Sequence, residues 1–175
     1  MTSQTDEAQR VRGYILAQAN KLSIPELVEK VRRDAAPLRE AGAAVPAARF
    51  AEHPGPDDWS AAEVYTHILQ MNETGARAIE GILERGVLPP RVRDTISGET
   101  SAGLTTAEDY WQTYHERREQ LLARVLNASG DEHLAIAITH PTFGAFTWRE
   151  WLLFMRVHDL DHLRQLQAVA QRFGA

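Results

Sequence analysis

Four times in this chain a serine or threonine is followed three residues later by glutamate at the head of an apolar stripe: Ser23/Glu26, Ser60/Glu63, Thr105/Glu108 and Thr147/Glu150. In such a capping box the hydroxyl accepts from the third helical N–H and the glutamate accepts from the N-cap N–H. Two orphaned donors are thus satisfied before the helix has any neighbour. The stripes that follow have helical spacing: Leu27, Val31 and Leu38; Val64, Ile68 and Met71; Trp111, Tyr114, Leu121, Leu122 and Val125; Trp151, Phe154, Met155 and Leu166. Trp59 with Val64, and Phe146 with Trp151, are placed as hydrophobic staples. Gly86 ends the second helix after Arg85, "NASG" (127–130) ends the third, and the fourth runs almost to Gly174. Four amphipathic helices punctuated in this way predict an all-α four-helix bundle.

A further helical stretch over residues 8–22, with Val11, Tyr14, Ile15 and Leu22 apolar, precedes these. The chain therefore divides into an N-terminal helical extension (1–21) and the bundle (22–175), and 175 residues suffice for one sizeable core. Two Pro/Gly-rich connections, 44–58 and 85–103, are long enough to cover a site. Only "HLAIAIT" (133–139) alternates as a strand would, too little to organise a sheet. A formal charge of −5 lacks the basic footprint of a nucleic-acid binder. With no cysteine, disulfides, thiolate ligands and a cysteine nucleophile are excluded, so any metal must bind through His, Asp, Glu or water. No apolar run approaches the roughly 20 residues of a membrane span, and the N-terminus lacks the order of a signal peptide. A cytoplasmic protein is expected.

"RVHDLDHLRQ" (156–165) places His158 and His162 four apart, hence on one helix face. They lie 11 and 15 residues after Thr147, and His67 lies seven after Ser60, so each imidazole shares the face on which its helix begins. That face is apolar, and a buried imidazole must find partners or stay neutral. One histidine there is ordinarily a satisfied core residue, and a pair four apart fixes a direction but no third ligand. His67, on another capped helix, supplies a third if the two helices are neighbours.

The stretches "DDWSAAEVYTHIL" (57–69), "LTTAEDYWQTYHERREQLL" (104–122) and "HPTFGAFTWREWLLFMRVHDLDHLRQLQ" (140–167) resemble the DinB-like (damage-inducible) metal-binding four-helix bundles. That superfamily includes bacillithiol transferases and mycothiol-dependent maleylpyruvate isomerases. The resemblance covers roughly residues 22 to 172, and its most specific part is a mid-helix histidine joined with a late pair four apart. It implies a DinB-like bundle here with one additional N-terminal helix. It also implies a divalent metal, zinc or nickel, on the family's three histidines, which match His67, His158 and His162. The helix before Ser23 departs from the usual pattern.

Three imidazoles leave a fourth coordination position open, the arrangement of catalytic rather than structural zinc. A metal there lowers the pKa of bound water or deprotonates a coordinated thiol. A chain without cysteine would need the thiol as a low-molecular-weight cosubstrate, which fits the family's thiol-transfer members. The leading expectation is therefore a metal-dependent thiol S-transferase-like enzyme; the alternative is a stress-response or binding protein in which the ion merely staples helices. A third reading is a bundle without metal whose histidines hydrogen-bond to one another.

Among lesser candidates, Asp161, three after His158, could orient an imidazole or be a solvated residue. Glu63 could act as a base, although its capping role already explains it. Gln70 and Gln165 could line the pocket, and His140 could approach the bundle mouth or start the turn at Pro141. His53, His115 and His133 read as surface residues. The apolar side of the extension, with the habit of the resembled family, predicts a homodimer.

Overall fold

In a computed structural model, residues 4–88 and 101–174 are described. Most of the 85–103 connection, expected to cover a site, lies outside the described residues. The elements run α1 (Gln4–Lys21), α2 (Ile24–Ala35), α3 (Pro37–Ala43), a 3-10 turn (Ala47–Arg49), α4 (Ala61–Arg85), α5 (Ala107–Leu126), β1 (Ile138–His140), β2 (Gly144–Phe146) and α6 (Trp148–Arg172). Among the described residues the fold is all-α apart from one short hairpin. Helices α4 and α5 pack on each other, α4 packs on α6, and α2 with α3 lies across α5 and α6. Four rods therefore form the bundle, and α1 is laid against α6.

Local chemistry explains most helix starts. Ser60 N–H donates to Glu63 (2.8 Å) and the Ser60 hydroxyl accepts from Glu63 N–H (3.3 Å). Thr147 and Glu150 repeat the exchange (2.7 and 3.4 Å), and Ser23 N–H donates to Glu26 (2.8 Å). The third start is a correction: the cap is Thr106 with Asp109, not Thr105 with Glu108. Glu108 is engaged across the bundle instead, accepting from Nε and Nη2 of Arg39 on α3 at 2.9 and 2.8 Å. The single first helix read from the sequence is two, because Pro37 has no N–H to continue the ladder. Gly86, with φ +62°, adopts the left-handed cap and closes α4, its N–H donating to Ile82 O at 2.9 Å.

The strand-like segment is displaced by a few residues: β1 pairs antiparallel with β2, Ile138 opposite Phe146 and His140 opposite Gly144. The N-terminal helix joins the core rather than standing apart. Ile15 is fully buried, Ala19 nearly so, and Val11 and Leu22 pack against the same cluster. Arg149 on α6 donates to the carbonyls of Ala19 and Leu22, pinning the α1–α2 junction. Much of the apolar stripe that prompted the dimer expectation is thus covered within the chain. No helix among the described residues is long and apolar enough to cross a membrane.

Candidate metal centre

Helices α4 and α6 approach closely at Gly75, where an added Cβ would run into Met155 Sδ. The helices are antiparallel, so His67, eight residues before Gly75, meets His158, three residues after Met155. His158 Nε2 lies 3.0 Å from His67 Nε2 and 3.1 Å from His162 Nε2. The three ligand atoms all fall within 4.8 Å of one another, and all three side chains are half-buried. The ring centroids are 4.3 to 4.9 Å apart.

Trp59, at the end of the 44–58 connection, walls the cluster. Its ring is parallel to His162 at 6.3 Å and edge-on to His67 at 5.4 Å. The residue read as a staple therefore also shields two of the three histidines. His162 Nδ1 donates to Gln165 Oε1 at 2.8 Å, which leaves its lone pair on Nε2, facing the other rings. Burial, and then the neighbouring His158, lower the pKa of His162, holding it in the neutral form that ligates. Trp59 and Gln165 also line a groove of about 410 Å³ that extends to Asp57, Asp58 and Arg172.

The other candidates fall outside the cluster. The Glu63 carboxylate accepts from the Ser60 N–H and hydroxyl and lies 3.4 Å from His53 Nε2, so it serves the cap. Asp161 is exposed. Gln70 is half-buried one turn after His67. His140 sits at the hairpin, its Nδ1 accepting from Thr142 and Phe143 N–H groups (3.1 and 3.3 Å), its ring among Phe143, Phe154 and Trp151. His53 and His133 are exposed, and His115 stacks on Trp111.

Sequence reasoning missed a buried polar network beneath His158. Asp159, Arg118, Asn72 and Tyr114 are each 1–2% exposed. Asp159 Oδ2 accepts from Arg118 Nη2 (2.9 Å) and from the Tyr114 hydroxyl (2.7 Å), while Arg118 Nε donates to Asn72 Oδ1 (2.8 Å). Burial pushes the Asp159 carboxyl up, but the Arg118 charge and the hydrogen bonds outweigh it and leave the group lowered, hence ionised. The available signal was Arg118 itself, falling in register with the apolar stripe between Tyr114 and Leu122.

The donor set suits a divalent ion. Nitrogens bound at about 2.0–2.1 Å to one ion cannot be more than about 4.2 Å apart, and sit roughly 2.9 Å apart at a right angle or roughly 3.3 Å at a tetrahedral one; the 3.0 and 3.1 Å separations at His158 fall between these. Without a cation the same two contacts, at 3.0 and 3.1 Å, are hydrogen-bond distances between imidazoles, as in the metal-free reading of the sequence.

Comparison with known proteins bears on the family. A family profile described as the DinB superfamily matches residues 30–166, which include all three histidines. No curated protein and no solved structure matches the chain. With most of its length matched, this chain belongs to the DinB superfamily.

Proposed function

We propose that His67, His158 and His162 hold a divalent metal, zinc or nickel, and that the chain is a metal-dependent enzyme of the thiol S-transferase type. The observation that carries this reading is the convergence of three imidazoles from α4 and α6, with the Nε2 atoms of His67 and His162 at 3.0 and 3.1 Å from that of His158. A staple would close the coordination sphere with a fourth protein ligand, whereas chemistry needs an open position. Among the described residues the cluster comprises three ligand side chains, which leaves a coordination position for a substrate. The ion, when bound, would supply Lewis acidity, lowering the pKa of a thiol or water.

The chain's own residues supply the rest. Gln165 orients His162, Trp59 excludes water from one side of the cluster, and Arg172, Asp57 and Asp58 offer charge to a polar substrate in the groove. With no cysteine in the chain, a thiol nucleophile would enter as cosubstrate. The test is cobalt substitution: a thiol entering the coordination sphere should change the visible absorption, more strongly as pH rises towards the thiol's own pKa. A cobalt spectrum indifferent to thiols and small anions would replace the enzyme with the stapled binding protein.

A further inference from the structure

We propose that Asp159 is the positioning residue of the three-histidine cluster, holding the His158 imidazole with its proton on Nδ1 and its lone pair on Nε2. The consequence for metal affinity rests on the metal reading above; the geometry does not. Consecutive residues on a helix point about 100° apart, so His158 faces α4 while Asp159 faces α5. The two side chains thereby join two helix interfaces. The carboxylate cannot turn freely, since its Oδ2 is held by Arg118 Nη2 and the Tyr114 hydroxyl. Arg118 is in turn held by Asn72, whose amide donates to the Tyr114 carbonyl at 3.1 Å.

This clamp leaves Oδ1 3.9 Å from His158 Nδ1, an atom that is buried and makes no hydrogen bond of ordinary length. A lone pair on Nδ1 would confront a buried anion across that gap, while a proton there is attracted to it. An approach of about 1 Å makes it a charge-assisted hydrogen bond. Protonation at Nδ1 leaves Nε2 as an acceptor aimed at the other two Nε2 atoms. A carboxylate on the far nitrogen fixes the ring's tautomer and raises its basicity as a ligand.

The experiment has two arms. In the first, histidine nitrogen NMR of the unaltered, metal-free chain reads the tautomer: protonated Nδ1 at His158 is expected, and protonated Nε2 overturns the proposal. In the second, an Asn72→Leu/Tyr114→Phe/Arg118→Met/Asp159→Leu variant exchanges the whole buried network for apolar groups, Asn72 included because its Oδ1 would otherwise lose its Arg118 donor. Such an exchange is commonly neutral or stabilising. Its metal-free melting temperature should stay close to that of the unaltered chain while zinc affinity, by chelator competition, falls roughly 10- to 100-fold. A folded variant with unchanged affinity would make Asp159 only the counterion of Arg118. Should the variant not fold, the tautomer of the unaltered chain decides. If the unaltered chain takes up no zinc, the metal reading fails and the tautomer still decides the positioning.

Discussion

Two histidines lie against the same phenylalanine and behave differently. Phe154 touches His140 on one side (4.8 Å between ring centroids) and His158 on the other (6.5 Å). Both rings are largely covered and both have aromatic neighbours. His140 Nδ1 is occupied by two backbone N–H groups of its own turn, so that nitrogen is used in shaping the hairpin. His67, His158 and His162 instead turn their Nε2 atoms towards one another. Burial does not distinguish a ligand from a structural histidine; what its ring nitrogens face does.

Removing a ligand should give the largest effect that separates the two. At free zinc about a thousand times Kd, binding stabilises the native state by about 4 kcal/mol. The melting temperature of chelated protein should therefore rise on adding zinc, and His67→Ala or His158→Ala should abolish the rise. His140→Ala should keep it. Equal loss in all three variants would erase the distinction.

His140→Ala should act on the fold. Leaving the Thr142 and Phe143 N–H groups without their acceptor, and vacating space beside Phe154, should cost about 1–3 kcal/mol in urea unfolding of the metal-free chain. An unaltered midpoint would mean that the hairpin does not depend on that ring.

A smaller effect should appear with pH. Burial lowers the pKa of His162 in the native state, while in the unfolded chain it titrates near 6.5. Between these values the unfolded state binds more protons, so metal-free stability is full above about pH 6.5 and is lost as pH falls towards the native pKa. The chelated protein should melt lower at pH 5.5 than at pH 7, and His162→Gln should flatten that dependence. Paired carboxylates such as Asp34 and Glu73, whose native values are lowered, contribute in a more acidic window.

The smallest effect belongs to Asp161→Asn, which should change zinc affinity less than about two-fold because the side chain is exposed. A loss of 10-fold or more, the size expected of a carboxylate bonded to a ligand's far nitrogen, would move that role from Asp159 to Asp161.

The histidines were legible because four-residue spacing on one helix settles their direction, but the partner carboxylate was not. Asp161 and Asp159 both neighbour the pair in "HDLDH", and spacing along α6 favours Asp161 for reaching back one turn. The choice falls to Asp159 because Arg118 and Tyr114 arrive from α5, which spacing along α6 cannot register. The shifted cap at Thr106 has a similar cause: Arg39 on α3 engages Glu108, and the shorter Asp109 takes over the cap.

What the sequence determined by itself is what depends on contacts within about four residues: the helix starts at Ser23, Ser60 and Thr147, the stop at Gly86, and the shared face of His158 and His162. Such contacts follow from helical geometry wherever the helix is placed. Tertiary structure alone decided what depends on how each helix is rotated against its neighbours. The meeting of His67 with the pair requires the close approach of α4 and α6 at Gly75. The clamping of Asp159 requires Arg118 to be buried at charge-pair distance, and Ile15 becomes core only because α1 lies against α6. These pairings join side chains tens of residues apart, and they form only when close packing brings whole helices into register.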